Sequence, residues 1–198
     1  MFVQVIEAAD TDPAVLDAMR RWRDELRPGA IGFLGSTGGR TPDGDLVVVA
    51  RFTSEAEARR NSDRPEQGDW WAQVEKYVHG GVRFHDCADV ATMLDGGTND
   101  AGFVQVIVGR AKDQITASEV AESSSRFVSS YRPDVRGGLC AVAPDGTTIE
   151  VVYFTSEEEA RRNEAADLPT EAQADLDEFW SRFEHPHFYD LPEPVLWS

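Results

Sequence analysis

At 198 residues the chain can hold one large domain or two small ones, and with 41% hydrophobic and 10% aromatic residues it is a core-forming chain rather than a disordered one. A formal net charge of −17, spread over both halves, repels phosphate backbones and anionic lipid surfaces, so neither nucleic acid nor a membrane is expected as a partner. No apolar run approaches the roughly 18 residues of a membrane span, and with only Cys87 and Cys140 a disulfide framework is not the organising principle.

The first segment, Phe2-Val3-Gln4-Val5-Ile6-Glu7, lacks a basic leader and reads as a strand over 2–7 rather than a signal peptide. Asp12-Pro13 then supplies an N-cap and a proline at the first helical position, and Val15, Met19, Trp22 and Leu26 form one stripe at helical spacing. Arg27-Pro28 stops that helix, a second strand follows over about 30–37, and Pro42-Asp43-Gly44 makes a hairpin turn. Leu46 to Phe52 is a third strand, after which Ser54 and Glu57 cap a second helix. That helix breaks near Asp63-Arg64-Pro65 and resumes with Trp71, Val74 and Val78 inward. A fourth strand over about 81–91 and an Asp/Gly-rich linker complete the first half.

The same landmarks then return in the same order. Phe2-Val3-Gln4-Val5-Ile6 recurs as Phe103-Val104-Gln105-Val106-Ile107, and the ten residues from Phe52 recur from Phe154 with nine identical. Pro-Asp-Gly returns at Pro144, and Thr116 with Glu119 forms a capping box ahead of Val120, Ser124, Phe127 and Tyr131. Strands are expected over 136–143, 147–154 and 186–191, with 194–197 as a further stretch, and Leu176, Phe179 and Phe183 as the apolar stripe of the last helix. The chain therefore divides into a first unit over 1–94, a linker over 95–102 and a second unit over 103–198, each a ferredoxin-like βαββαβ unit of class α+β.

In such a unit both helices cover one face of an antiparallel sheet. Leu46 to Ala50 is apolar on both faces, so both must be covered, and the second copy's sheet is the expected cover. Burying roughly 600 Å² of apolar sheet per unit contributes about 15 kcal/mol before entropic costs. The expected architecture is two sheets packed face to face as a pseudo-dimeric α/β barrel, with pairing of two such chains as a further arrangement. Seventeen of the 19 basic residues are arginine, a bias associated with GC-rich bacterial genomes, and the cysteine usage suits a reducing cytoplasm.

Arg-Pro-Gly-x-x-Gly from Arg27 to Gly32 and Phe-Thr-Ser-Glu-x-Glu-Ala from Phe52 to Ala58 resemble the dimeric α/β-barrel superfamily, antibiotic-biosynthesis-monooxygenase-like proteins included. The resemblance covers both copies. It implies a tandem version of a dimer, with ligands held between sheet and helices. It also implies a range of chemistries: cofactor-independent oxygenases, haem-degrading enzymes, isomerase-like enzymes and members with no known activity. The haem-degrading members use an asparagine on the first strand and a tryptophan and histidine on the second helix. This chain has Gln4 and Glu7, and Ala58-Arg59-Arg60-Asn61, at those places.

Within this frame His85 is the candidate catalytic residue. Arg83 and His85 share one side of a strand, where a neutral imidazole beside a guanidinium could take a proton from a phenolic substrate. Its counterpart in the second copy is Tyr189. Trp71, Asn61, Arg83, Asn163 and Tyr189 are the candidate ligand-binding residues, set against plainer roles as core aromatics and helix-end caps. His185-Pro186-His187 near Asp190 is too sparse for a metal site, and no phosphate loop, nucleotide fingerprint or catalytic triad appears, so neither metal nor cofactor is expected. The expected function is binding of a small hydrophobic or aromatic ligand, as a cofactor-independent monooxygenase on a small aromatic or polyketide-like compound. The alternatives are a non-catalytic ligand-binding or stress-response module, and a chain in which one cavity has degenerated.

Overall fold

The repeated caps and turns fix the local structure of both copies. Ser54 and Ser156 each accept the backbone N–H three residues on, and Thr116 and Glu119 form a reciprocal capping box. Gly44 and Gly146 close the two Pro-Asp-Gly hairpins at φ +102 and +86, a region that residues with a Cβ seldom adopt. A computed structural model describes residues 1–197. Its elements are β1 (Phe2–Ala8), α1 (Val15–Arg21), β2 (Phe33–Arg40), β3 (Leu46–Phe52), α2 (Glu55–Ser62), α3 (Pro65–Val74), β4 (Val82–Cys87) and β5 (Asp89–Met93). They continue with β6 (Phe103–Ala111), α4 (Ala117–Tyr131), β7 (Val135–Val142), β8 (Thr147–Phe154), α5 (Glu157–Glu164), α6 (Thr170–Ser181), β9 (Phe183–Leu191) and β10 (Val195–Trp197). Among the described residues no helix is long and apolar enough to cross a membrane.

These elements form two α+β units, each with a five-stranded antiparallel sheet. Unit 1 comprises residues 1–88 with β10, in the order β10-β2-β3-β1-β4; unit 2 spans Asp89–Pro194, in the order β5-β7-β8-β6-β9. Each sheet has one strand more than the βαββαβ pattern predicts, and the stretch expected as one strand over 81–91 is two. β4 pairs with β1, the chain bends at Ala88, and β5 pairs with β7. Two anchors hold β5 in unit 2. The Asp89 carboxylate accepts the Ala117 N–H at the start of α4 (2.9 Å), and Met93 is fully buried in that unit's core. The 95–102 segment expected as a linker therefore lies inside unit 2.

In unit 1 the helices pack on the face carrying Ile6, Ala8, Leu46 and Val48, where Val15, Met19, Trp22, Leu26 and Val74 bury against them. Strand alternation turns Val3, Val5, Val47 and Val49 to the opposite face, and these are buried too. Unit 2 repeats the pattern, with Phe103, Ile107, Cys140 and Val152 toward its helices.

Candidate functional site

β8 is buried along its length except at one position, Glu150. Alternation turns Glu150 to the helix-covered face of unit 2, in register with Ile107 on β6 and Cys140 on β7. A shallow cleft opens there, lined by Ile107, Val120, Glu150, Phe179, Trp180 and Pro186 among others. Its enclosed part is about 20 Å³, room for about one water. Helix α6 supplies the aromatic wall: Phe179 lies 5.2 Å from Trp180 and 5.1 Å from Phe183, and Trp180 lies 5.7 Å from Phe188.

Burial in these surroundings pushes the Glu150 carboxyl up from its ordinary 4.5 to about 7, with a hydrogen bond from Ser124 on α4 opposing the rise in part. Glu150 keeps some accessible surface, but it borders the narrow cleft rather than open solvent, so desolvation dominates. The Cys140 thiol across the strand pair is pushed up by burial and, secondarily, by the nearby Glu150 charge. A carboxyl near 7 exchanges its proton readily at neutral pH, as a general base requires.

The helix-covered face of unit 1 has no counterpart of Glu150. At the offset of 102 that holds from the Pro-Asp-Gly turn onward, Val48 stands where unit 2 has Glu150. Its sheet–helix interior is filled by aromatic rings, with Trp22 4.9 Å from Phe33, 6.4 Å from Trp70 and stacked on Trp197 at 6.4 Å. Two of these indole N–H groups are satisfied inside the unit, Trp22 donating to Gln67 (2.7 Å) and Trp70 to the Ala18 carbonyl (2.8 Å).

The residues singled out from sequence lie elsewhere. His85 and Arg83 project from the face of unit 1 opposite the helices, since Phe84 between them packs on Trp71 at 5.3 Å. There they meet Glu7, a buried carboxylate that the sequence reading passed over as a partner. His85 Nε2 is 2.7 Å from it, and Arg83 donates to both its oxygens at 3.1 and 3.2 Å. Unit 2 has Val108, His187 and Tyr189 at the matching register, Tyr189 being buried edge-on to His187 at 4.3 Å. Trp71 donates to Glu75 (2.8 Å). Asn61 accepts from Arg64 (3.1 Å), which also donates to the Leu26 carbonyl at the end of the first helical segment. Asn163 donates to the Glu159 carbonyl of its own helix. The structure thus brings His85 and Arg83 together on Glu7, and neither Asn163 nor Tyr189 of unit 2 lines that unit's cleft.

The strand glutamines do share a role. Gln4 donates to Asp86 (3.0 Å) and Gln105 to Asp190 (2.8 Å), and Asp190 also receives Arg161. Among the described residues no three histidine, cysteine or acidic side chains gather as a metal site. The signal for Glu150 was present in the sequence as the lone charge in an otherwise uncharged strand, Thr147-Thr148-Ile149-Glu150-Val151-Val152-Tyr153-Phe154.

No family model matches the chain, and no curated protein does so. Solved structures do. An anthrone oxidase-like protein superposes with a TM-score of 0.73 at 10% identity, over 98% of this chain and 92% of that one. A candidate monooxygenase from Fusobacterium nucleatum superposes at 0.70 with 11% identity, over 96% and 90% of the two chains. Another from Lactobacillus acidophilus does so at 0.66 with 12% identity, over 98% and 93%. The chain shares the two-unit α+β fold of these three proteins. At these identities the likeness is one of fold alone. Within this fold, the cleft of unit 2 lies between sheet and helices, and unit 1 fills the same place with indole rings.

Proposed function

We propose that unit 2 binds a small, largely apolar organic molecule in the cleft beneath α4 and α6, and that the protein is a cofactor-independent monooxygenase acting on a small aromatic or polyketide-like compound. The observation that carries this reading is Glu150, a carboxyl near neutrality in a cleft walled by Phe179 and Trp180. In such a reaction Glu150 takes a proton from an acidified C–H or O–H of the substrate. The resulting carbanion gives two electrons to O₂ and, with the proton returned from Glu150, forms a C–OOH; loss of a second hydrogen from that same carbon then breaks the O–O bond, leaving one oxygen on the substrate as C=O and releasing the other as water. The cleft as it stands has room for about one water, so a ring enters only if its aromatic wall moves apart. Unit 1, with its interior filled, is assigned the part of structural partner.

The test is oxygen uptake with a panel of anthrone- and quinol-like compounds, comparing the unaltered protein with Glu150→Gln and His85→Ala. Turnover lost in Glu150→Gln by about a hundredfold or more is the expected result, within the range of general-base contributions. Turnover lost with His85→Ala and kept with Glu150→Gln would move the chemistry to unit 1. No turnover with any compound that binds would leave a ligand-binding module.

A further inference from the structure

Resting on the reading of this cleft as the ligand site, we infer that the preferred ligand carries a protonated amine set against Glu150, with an apolar body against Phe179 and Trp180. Three observations on unit 2 lead there. The cleft contains one carboxyl group and no lysine or arginine among its lining residues, so an anionic ligand finds no counter-charge. Its wall is aromatic, with Phe179, Trp180 and Phe183 mutually within 5.1 to 6.1 Å, and ring faces attract a cation set close to them. The chain as a whole carries −17, a field that concentrates cations near its surface.

The surroundings of Glu150 contain little else that titrates. β7 presents the Cys140 thiol, α4 the Ser124 hydroxyl and Val120, β6 Ile107 and Gly109, α6 Phe179 and Trp180, and the start of β9 Phe183 and Pro186. The thiol stays protonated, because burial and Glu150 both push it upward. Glu150 is therefore the group that sets the charge of the cleft. Near pH 7 ionising it costs almost nothing, so the attraction to an ammonium is retained in full; an alcohol gains only a neutral hydrogen bond.

The experiment is calorimetric titration of the full-length protein with phenethylamine, phenethyl alcohol and phenylacetate, three ligands sharing one ring. At about pH 8 the amine is expected to bind at least about tenfold tighter than the alcohol, and phenylacetate weakest. At about pH 5 Glu150 holds its proton and must release it to pair with the amine, so the amine's advantage falls to about threefold or less. Glu150→Gln, with an unchanged circular dichroism spectrum, removes the preference at both pH values. Ser124→Ala, which takes away the bond that favours the ionised carboxyl, moves the rise in amine binding to higher pH. Equal binding of amine and alcohol at pH 8, or tightest binding of phenylacetate, overturns the inference and leaves the cleft as a ligand site. No binding by any of the three, alongside Glu150-dependent oxygen uptake, overturns the amine assignment but not the oxygenase. No binding with no such uptake overturns both.

Discussion

Replacing Glu150 with glutamine isolates the free energy stored in its burial. The folded protein holds the Glu150 proton up to about pH 7, whereas an unfolded chain releases it near 4.5. Between those values the native state binds more protons than the unfolded state, so this group's contribution falls as pH rises and is level above about 7. A displacement from 4.5 to about 7 corresponds to about 3 kcal/mol, an upper bound because water at the cleft mouth screens part of it. Glutamine is close in shape to a protonated glutamate. At pH 5 the variant should exceed the parent by less than about 1 kcal/mol, and at pH 8 it should be the more stable by about 1 to 3 kcal/mol. With a urea dependence of about 2 kcal/mol per molar, the midpoint should rise by about 0.5 to 1.5 M at pH 8 and by less at pH 5. Taking the difference between variant and parent cancels every other carboxylate. A difference that is the same at both pH values, or one that favours the parent at pH 8, would refute the account of Glu150 as a desolvated acid.

Three further outcomes follow from the packing. Trp197→Ala removes an indole stacked on Trp22 at 6.4 Å and covered by Arg23, and should cost unit 1 about 3 kcal/mol, read by urea denaturation. Gln105→Ala leaves Asp190 with Arg161 but without its 2.8 Å amide bond, and should destabilise by about 1 to 2 kcal/mol; a thermal melt unchanged within error would show that bond to be idle. Cys87 and Cys140 are both buried, and Cys140 is a poor thiolate, so an aromatic disulfide reagent should leave both unmodified in native protein and label both in urea. Rapid labelling without denaturant would contradict their placement.

Much of the fold was legible because its signals are local and doubled. The serines at 54 and 156, the capping box at Thr116 and the two Pro-Asp-Gly turns sit in the structure where spacing put them. The bend at Ala88 was not legible: alternation gives the face of each residue in β4 and β5 but not the strand each will pair with, and these two pair in different sheets. The same gap hid the setting of His85. Its shared side with Arg83 followed from the period of two, whereas the third member, Glu7, comes from the register of β1 against β4. Glu150 was missed for a different reason. The repeat singles out residues that both copies keep, such as Asn61 and Asn163, whereas the two copies differ at the position that carries the charge, Val48 in one and Glu150 in the other.

The placement of β10 bears on how the chain is made. Every strand of unit 2 lies between Asp89 and Pro194, so that sheet can zip up as soon as its own stretch has left the ribosome. Unit 1 begins first and closes last: β2 has β3 on one side and waits for Val195 to Trp197 on the other. During that interval the nascent protein carries a bare strand edge, and a chain cut short before Val195 leaves that edge of β2 bare, open to capture by a neighbouring chain.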